Sequence, residues 1–417
     1  MKYGCIGETL KHSFSKEIHT QLFGYEYELC EVKREELDAF MSEKAFSAIN
    51  VTIPYKQQVI KHLDYISPVA EKIGAVNTVV NKDGKLYGYN TDFYGMLALI
   101  KKAQIDVKGK KVLVLGSGGT SKTAVAVAQE LEADEVYRVS RTGRDGCITY
   151  EDARTLHSDA QIIINTTPCG MYPNNHSAPI DLGDYKQVEG VVDAVYNPLR
   201  SKLICDALRR GVNAVGGLYM LVAQAAFAAE KFVEKKVEAE KIDKIYQNLL
   251  ASKQNIVLIG MPGSGKSTVG KQLAEVFDMD FVDTDVLIEQ SAQKTISQIF
   301  EDSGETSFRE IESEIIFDIA KTQSKVIATG GGAVLRSINT DALKQNGKLY
   351  FLDRPLSDLV TTDDRPLSSN RNDLEKRYNE RYDIYCSSCD VHVEASGSVS
   401  DVVKIIKEDF NNENTCD

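Results

Sequence analysis

The sequence predicts an α/β fold in which parallel sheets are covered by helices. Strand-like apolar runs alternate with helical patterns almost throughout the chain, which is the layout of parallel strands joined by helical crossovers. Two of these runs, KVLVLG and NIVLIGM, lead directly into glycine-rich turns that are followed by helical patterns. With 417 residues the chain can form two or three domains, each with its own core.

The composition argues against several classes of partner and location. A formal charge of −12 and a pI near 5.2 disfavour nucleic acid or an anionic membrane surface as the main partner. Eight cysteines in a chain of this length, without a leader pattern over residues 1–16, do not fit a secreted disulfide framework, so we expect a cytoplasmic protein. The apolar stretch 214–229 is short for a membrane span and contains Gln224, which favours a buried helix.

Two abrupt changes along the chain indicate domain boundaries. Residues 229–254 read as one charged amphipathic helix and are followed at once by the apolar strand NIVLIGM, which puts the main boundary near Ser252. A polar stretch at 101–110 precedes the strand KVLVLG, which indicates a further edge near residue 100.

The clearest functional motif is GMPGSGKST at residues 260–268, which fits the pattern GxxxxGK[ST] between a strand and a helix. A glycine-rich turn can aim several backbone N–H groups at one phosphate, and the positive end of the following helix adds to this attraction. Lys266 would reach the β- and γ-phosphates, and Ser267 would bind Mg²⁺. The nucleotide-binding residues predicted here are Gly263, Gly265, Lys266, Ser267 and Thr268.

The rest of the C-terminal region supplies an ordered series of further motifs. They are FVDTD at 281–285, FRE at 308–310 with Glu312 two residues on, VIATGGGAV at 326–334, RPL at 365–367 and RYDIY at 381–385. In this order and spacing the set resembles the shikimate kinases over residues 254–417. The resemblance implies a P-loop kinase α/β domain with a central parallel sheet, which uses ATP and Mg²⁺.

The resemblance also implies a role for individual residues of these motifs. Asp283 would be an outer partner of Mg²⁺, and Asp285 would hold the substrate hydroxyls and accept a proton. Arg309 and Arg381, helped by the backbone at Gly331, would grip the shikimate carboxylate, which a guanidinium fork matches with two parallel hydrogen bonds. Any one of these arginines taken alone would more often be a solvated surface charge.

The lid segment LVTTDDRPL departs from the usual family pattern. Arg365 would sit on a closing lid and neutralise charge on the transferred phosphoryl group. Many family members carry another arginine a few residues earlier, where this chain has Thr361, Thr362, Asp363 and Asp364. Because two acids next to Arg365 offset part of its positive field, we expect altered nucleotide affinity and lid closure.

A second glycine-rich turn lies in KVLVLGSGGTSKTAVAVAQEL, residues 111–131, and is close to the dinucleotide pattern GxGxxG with Ser121 at the third glycine. The next strand, EVYRVSRT, ends in one basic and two hydroxyl-bearing residues, Ser140, Arg141 and Thr142. At this place an NAD enzyme would have an aspartate or glutamate that binds the ribose 2′-hydroxyl. A guanidinium with two hydroxyls suits a 2′-phosphate, so the sequence predicts NADP, although Arg141 could also be a surface charge. The predicted cofactor residues are Gly116, Gly118, Gly119, Ser140, Arg141 and Thr142.

Motifs on both sides of this turn form a second ordered series. They are HSFS at 12–15, NVTIPYK at 50–56, GAVNT at 74–78, GYNTD at 88–92, NTTPCGM at 165–171, DAVYNP at 193–198 and GGLYMLVAQ at 216–224. The set resembles the shikimate dehydrogenases over residues 1–250. This implies an N-terminal two-domain dehydrogenase with an α/β substrate domain, residues 1–100 plus 218–250, and a Rossmann NADP domain, residues 101–217. Two segments, NTTP and GGLYM, differ from the commoner family forms near the nicotinamide end.

The family places a lysine and an aspartate at the reacting oxygen, and Lys56 and Asp92 occupy those positions. A positioned acid is what proton donation to an alkoxide requires. Lys56 could instead be a surface lysine, Ser13 a helix N-cap and Asn77 a turn residue. The resemblance further implies Ser13 and Ser15 as donors to the substrate carboxylate, Thr52, Asn77 and Gln224 as ligands of its hydroxyls, Tyr196 as a substrate contact and Gly217 as a cofactor contact.

Together the two resemblances predict an enzyme with two consecutive activities. The first would reduce the 3-ketone of 3-dehydroshikimate with NADPH, and the second would phosphorylate the resulting hydroxyl of shikimate with Mg·ATP, within aromatic amino-acid biosynthesis. The expected partners are therefore small-molecule substrates. Two alternatives stay open at this point: the same folds acting on quinate or another polyol acid, and a nucleotide-sensing scaffold that binds ligands without turnover.

Overall fold

The computed structural model describes residues 1–10, 14–359 and 371–413. The chain forms two compact units, Met1–Tyr246 and Gln247–Asp417. The predicted α/β class is confirmed, because helices accompany three described sheets, of which two are fully parallel and one is mixed. Among the described helices, none has both the length and the apolar character needed to cross a membrane.

The first sheet of unit Met1–Tyr246 has the strand order β2-β1-β3-β5-β6-β4. Strands β3, β5 and β6 pair antiparallel, while β1 pairs in parallel with β2 and β3, and β4 with β6. Its strands are β1 Tyr3–Gly7, β2 Glu28–Glu31, β3 Ala48–Val51, β4 Tyr65–Ile66, β5 Thr78–Lys82 and β6 Lys85–Tyr89. The helices in this region are α1 Ser15–Phe23, α2 Leu37–Glu43, α3 Pro68–Ile73 and α4 Thr91–Lys102.

The second sheet is parallel throughout and has the strand order β12-β11-β10-β7-β8-β9. The chain leaves β7 toward β8 and later returns to β10 on the other side of β7, so a topological switch point lies at the carboxyl end of β7. Its strands are β7 Lys111–Leu115, β8 Glu135–Ser140, β9 Ile148–Thr149, β10 Ile162–Asn165, β11 Gly190–Asp193 and β12 Asn213–Val215, and its helices are α5 Gly119–Glu130, α6 Tyr150–Leu156 and α7 Lys202–Arg209.

Helix α8, Leu218–Val233, packs closely against α4. A Cβ added at Gly95 of α4 would stand 2.8 Å from the carbonyl oxygen of Met220, so only glycine permits this approach. The predicted buried helix in the apolar stretch is confirmed, with ten buried residues in α8. The prediction of one helix over residues 229–254 is wrong, because the chain leaves α8 at Glu234, whose φ is 55°, and resumes as α9, Ala239–Lys253.

Unit Gln247–Asp417 contains a parallel sheet of strand order β14-β15-β13-β16-β17. The middle strand β13 is buried on both faces: Ile256 and Leu258 pack in one apolar cluster, and Val257 and Ile259 in the other. The strands are β13 Asn255–Ile259, β14 Asp280–Asp283, β15 Lys325–Ala328, β16 Gly347–Asp353 and β17 Val391–Glu394. The helices are α10 Lys266–Phe277, α11 Thr284–Ala292, α12 Ile296–Ala320, α13 Ser337–Asn346, α14 Arg371–Ser388 and α15 Val399–Glu413.

Candidate active sites

The glycine-rich turn after β13 forms a compact loop around the amine of Lys266. Nζ of Lys266 donates to the carbonyl oxygens of Gly260 and Met261, at 2.9 Å each, and the side chain is almost fully buried. Gly265, with φ of 92°, adopts a left-handed conformation that favours glycine and directs the chain into α10. The loop thus presents backbone N–H groups, a helix N-terminus and a lysine on one side, which suits a phosphate chain.

Ser267 and Asp283 form a hydroxyl and carboxylate pair beside this loop. The hydroxyl of Ser267 donates to Oδ2 of Asp283 at 2.6 Å, and Oδ1 of Asp283 accepts from the backbone N–H of Asp285 at 3.1 Å. Asp283 is therefore held by the N-terminus of α11, which it caps. An oxygen pair of this kind, next to a phosphate loop, fits the ligand preference of Mg²⁺.

The glycine run 330–332 follows β15 and passes between the charged side chains of the site. An added Cβ at Gly330 would stand 2.6 Å from Oδ1 of Asp285, and one at Gly332 would stand 2.2 Å from Nη1 of Arg309. At Gly331 the added atom would overlap the ring of Pro262 at 2.7 Å. A side chain at any of these three positions would displace the acid, the guanidinium or the proline of the phosphate loop, because all three approach the backbone closely.

Arg309 and Arg381 reach this run from α12 and α14. Nη1 of Arg309 pairs with Glu312 at 2.8 Å and Nη2 with Glu305 at 3.1 Å, so its guanidinium is held in one orientation. Nη1 of Arg381 donates to the carbonyl oxygen of Gly331 at 3.2 Å, and the hydroxyl of Tyr385 donates to the same oxygen. The two arginines therefore converge on the glycine run, as the sequence analysis predicts for a carboxylate grip.

Glu312 has a larger part in the geometry than the sequence analysis gave it. Its side chain is fully buried, Oε2 accepts from Arg309, and Oε1 has no hydrogen-bond partner among the described residues. Burial raises the pKa of this carboxyl, while the ion pair with Arg309 acts in the opposite direction. The spacing of Arg309 and Glu312 on one helical turn is the sequence signal for such a pair.

These groups line one cavity of about 570 Å³ in the second unit. Its lining combines the phosphate loop with carboxylates and guanidinium groups, which suits transfer of a phosphoryl group to a small anionic acceptor. The lining includes Gly263, Gly265, Lys266, Ser267, Thr268, Asp283, Asp285, Arg309, Gly331 and Arg381.

In the first unit, Lys56 and Asp92 form an ion pair with 2.6 Å between Nζ and Oδ2. Lys56 comes from the turn after β3, and Asp92 from the first turn of α4. The side chain of Asn90 accepts from the N–H of Phe93 at 3.1 Å and so caps α4, which fixes the position of Asp92. The structure thus brings the predicted proton-transfer pair together.

Asn77 belongs to a buried polar network beneath this pair. Its Oδ1 accepts from the backbone N–H of Thr91 at 2.7 Å, and its amide donates to the hydroxyl of Thr91 at 3.0 Å. The network continues through Thr78 to Asn50, which accepts from the hydroxyl of Tyr27 at 2.7 Å. Asn77 therefore ties the start of α4 to the sheet, in addition to its predicted substrate contact.

The other predicted substrate residues lie on separate elements. Ser15 begins α1, Thr52 follows β3, and the amide of Gln224 in α8 donates to the carbonyl oxygen of Leu221 at 2.9 Å. The ring of Tyr196 lies 5.7 Å from that of Phe14, the neighbour of Ser15. Ser13 and, in the second unit, Arg365 lie outside the described residues, as do Thr361, Thr362, Asp363 and Asp364.

The dinucleotide-like turn occupies the switch point after β7. Gly118 is the N-cap of α5 and Gly119 its first residue, while an added Cβ at Gly116 would stand 2.6 Å from the hydroxyl of Thr166. At the third position of the pattern, the hydroxyl of Ser121 donates to the carbonyl oxygen of Gly118 at 2.7 Å. This bond accommodates the serine without opening the turn.

The turn after β8 carries exposed basic residues near the same edge of the sheet. The hydroxyl of Ser140 accepts from the N–H of Gly143 at 3.1 Å, which closes the turn, and Arg141 and Thr142 are exposed. A second exposed arginine, Arg144, follows in this turn and was missed by the sequence analysis. Its signal was the repetition of arginine three residues after Arg141.

Asp193, at the end of β11, joins the loops that face this edge. Its carboxylate accepts from the amide of Asn165 at 2.9 Å, from the backbone N–H of Val195 at 2.9 Å and from the hydroxyl of Ser201 at 2.5 Å. Burial raises the pKa of Asp193 to about 6. Nearby, an added Cβ at Gly217 would stand 2.4 Å from the carbonyl oxygen of Ala194, so this loop passes directly over the start of α8.

Comparison with known proteins assigns both regions of the chain. Residues 5–79 match the family model of the shikimate dehydrogenase substrate binding domain, and residues 262–410 match that of shikimate kinase. The NADP(+) shikimate dehydrogenase of Clostridium perfringens strain SM101 is 38% identical over 265 residues, which cover 59% of this chain and 97% of the relative. The chain belongs to the shikimate dehydrogenase family.

Solved structures of shikimate dehydrogenases support the same assignment. A chorismate mutase/shikimate 5-dehydrogenase fusion protein from Clostridium acetobutylicum is 36% identical with a TM-score of 0.56, covering 59% of this chain and 96% of that one. The shikimate 5-dehydrogenase of Thermus thermophilus, in complex with NADP(H) and shikimate, is 28% identical with a TM-score of 0.54, covering 60% and 99%. Unlike these matches, which cover three-fifths of the chain, this dehydrogenase continues into a shikimate kinase domain.

Proposed function

We propose that the chain catalyses two consecutive reactions: reduction of 3-dehydroshikimate to shikimate with NADPH, and phosphorylation of shikimate to shikimate 3-phosphate with ATP. The observation that carries the proposal is the presence of both a Lys56–Asp92 pair and a phosphate-loop cavity with convergent arginines in one chain of this family. The product of the first reaction is the acceptor of the second, within chorismate and aromatic amino-acid biosynthesis.

In the reductase, bound NADPH supplies the hydride to the ketone carbon. The ammonium of Lys56 donates a proton to the oxygen that becomes the hydroxyl, and Asp92 holds that ammonium at 2.6 Å. Ser13 and Ser15 orient the substrate carboxylate, and Tyr196 contacts the ring. The substrate hydroxyls are bound by Thr52, Asn77 and Gln224.

The proposed NADP site combines the turn at Gly116, Gly118 and Gly119 with the basic turn after β8. Gly217 borders the nicotinamide end. Arg141, with Ser140 and Thr142, binds the 2′-phosphate, and exposed Arg144 adds a second guanidinium. Two guanidinium groups match the geometry and charge of a phosphate monoester.

In the kinase, the residues present fit Mg²⁺, which would neutralise phosphate charge when bound by Ser267 and, on its outer side, Asp283. Asp285 accepts the proton of the acceptor hydroxyl, and Lys266 with the loop holds the phosphates. Arg309, Arg381 and the backbone of Gly331 hold the acceptor carboxylate. Arg365 neutralises charge on the transferred group.

The sheets support a division into three domains. We propose a dehydroshikimate-binding domain of residues 1–100 plus 218–250, an NADP-binding domain of residues 101–217 and a kinase domain of residues 254–417. The proposed location is the cytoplasm, because eight cysteines in a chain of this length do not fit a secreted disulfide framework.

Two assays on the purified chain test the proposal: NADPH consumption with 3-dehydroshikimate, and ADP release with shikimate. Both activities are expected. If either activity is absent, the corresponding half of the proposal is wrong. If both activities are absent but the nucleotides still bind, the result favours a nucleotide-sensing scaffold. Relative kcat/KM values for shikimate and quinate, in the reverse reaction with NADP⁺, show which of the two is the substrate of the reductase.

A further inference from the structure

Arg354 emerges at the carboxyl edge of the kinase sheet, directly after β16. That strand pairs in parallel with β13, whose carboxyl end continues into the phosphate loop. The two elements are in close contact, because a Cβ added at Gly260 would stand 2.8 Å from the carbonyl oxygen of Leu352. Arg354 is therefore placed beside the loop by the register of two central, buried strands.

The guanidinium of Arg354 faces an open space at Gly265. Its Nη1 lies 3.8 Å from the point where a Cβ at Gly265 would stand. Apart from the glycine and its chain neighbours, no other described heavy atom lies within 4 Å of that point. Gly265 directly precedes Lys266, so a cation borders the phosphate-binding turn on a side that is otherwise empty of described protein atoms.

Arg354 also has an unused hydrogen-bond donor. Its Nε is shielded from water and has no hydrogen-bond partner among the described residues. The neighbouring carboxylate of Asp353 already accepts from the hydroxyl of Tyr382 at 3.0 Å and from Nε2 of His392 at 2.8 Å. A buried donor without an acceptor is unfavourable, so this N–H is available to an acceptor that a bound ligand brings.

The described lining of the kinase cavity has no net positive charge to offset the negative charge of a nucleotide. Among the described residues, 1–10, 14–359 and 371–413, the charged residues that line the cavity are Lys266, Arg309, Arg377 and Arg381 against Asp283, Asp285, Glu289 and Glu312. These formal charges cancel, and Arg309 is already paired with Glu305 and Glu312. A triphosphate with one magnesium ion is still an anion, so a further positive group near the loop would stabilise it.

We propose that Arg354 binds the two non-transferred phosphates, α and β, of the nucleotide. Arg354 approaches the backbone at Gly265 of the phosphate loop, whereas Asp285 and Arg309 approach the glycine run 330–332. A guanidinium suits this position because it offers several donors in a planar fork to phosphate oxygens. The inference rests on the kinase activity proposed above.

The test compares Arg354→Met with Lys271→Met in the full chain. Lys271 is an exposed lysine of α10, so its loss removes one positive charge from the same domain without touching the loop. Arg354→Met is expected to raise both the Kd for MgADP, measured by calorimetry, and the KM for MgATP by about tenfold. The KM for shikimate and the rate of NADPH oxidation are expected to stay within twofold, and Arg354→Lys is expected to recover part of the affinity.

Each outcome decides one question. Changes below twofold in both nucleotide constants overturn the proposal, as does an equal effect of Lys271→Met. Weaker MgATP binding with unchanged MgADP binding also overturns it, because the contact would then be to the γ-phosphate. If the wild-type chain neither binds MgADP nor phosphorylates shikimate, the kinase function itself fails. An unchanged KM for shikimate in the kinase reaction of Arg354→Met shows that the kinase domain is folded, and intact NADPH oxidation shows the same for the first unit.

Discussion

Nζ of Lys56 lies 2.6 Å from Oδ2 of Asp92, although 36 residues separate them in the chain. Most of the pair is buried, with 21% of the Lys56 side chain and 12% of the Asp92 side chain exposed. One residue follows a central strand and the other begins a capped helix. A proton donor held between two rigid elements keeps its geometry without help from a mobile loop.

Replacement of Lys56 by alanine is expected to abolish most of the reduction and spare the kinase. Loss of a positioned proton donor lowers kcat by roughly 10²–10⁴-fold. Steady-state rates of NADPH oxidation and of ADP release, measured on the same preparation, check this. Loss of both activities in a folded variant contradicts the independence of the two sites.

The reciprocal variant is Lys266→Ala. Because Lys266 is the buried amine inside the phosphate loop, its removal is expected to lower the kinase kcat by roughly 10²–10³-fold. NADPH oxidation is expected to stay at the wild-type rate. A kinase rate within threefold of the wild type would show that the loop does not bind the transferred phosphate in the proposed manner.

Arg141→Ala and Arg144→Ala are expected to reduce the preference for NADPH over NADH. A lost charged hydrogen bond to the 2′-phosphate costs about 1.5–3 kcal/mol of binding free energy. This corresponds to a rise of roughly tenfold or more in the KM for NADPH. The KM for NADH should not rise, since that cofactor lacks the 2′-phosphate. Arg154→Ala, which removes an exposed arginine of α6, is the matched control, and an equal effect there contradicts the assignment.

Gly332→Ala is expected to weaken binding of the acceptor acid. The new methyl group would stand 2.2 Å from Nη1 of Arg309, so the guanidinium must move away from its present position. A rise of about tenfold or more in the KM for shikimate is expected, with the KM for MgATP nearly unchanged. Equal rises in both constants would indicate a general distortion of the domain.

Stability of the first unit is expected to fall in mild acid because of His19. Its ring is buried, stacks 4.1 Å from that of Tyr27, and burial lowers its pKa to about 3. Below its ordinary pKa of about 6.5 the unfolded chain binds a proton that the folded chain does not, so stability decreases as pH falls toward 3. Between pH 7 and pH 5 this loss amounts to about 2 kcal/mol.

His19→Phe keeps an aromatic ring in the stack and removes the titration. The variant is expected to show a smaller decrease in the free energy of unfolding between pH 7 and pH 5, by about 2 kcal/mol. The unfolding transition of the first unit is identified by adding NADP⁺, because a bound ligand shifts that transition to higher denaturant concentration. Parallel pH profiles for the variant and the wild type would show that His19 is not the group responsible.

Local patterns predicted the fold because they follow from strand and turn chemistry. Residues 256–259, IVLI, are all apolar because β13 is buried on both faces, and the glycine pattern after this strand needs no distant residue to be recognised. The break between α8 and α9 was missed, because charged residues with a helical spacing continue through Glu234 and nothing local marks its left-handed conformation.

Contacts between distant residues could not be predicted from spacing alone. The meeting of Lys56 with Asp92 entered through family resemblance, and the sequence contains no local signal for it. The unpartnered Oε1 of Glu312 and the position of Arg354 beside Gly265 depend on how helices and strands pack, so only the structure makes them visible. The same holds for the bond from the Asn165 amide to Asp193, which joins residues 28 positions apart.

The central claim is that one chain reduces a ketone and then phosphorylates the hydroxyl it has made. Its most direct test supplies the purified chain with 3-dehydroshikimate, NADPH and MgATP together, and follows the product by phosphorus NMR. Formation of shikimate 3-phosphate, with one NADPH oxidised for each ADP released, is the predicted result. Accumulation of shikimate without a phosphate ester, or no consumption of NADPH, would contradict the claim.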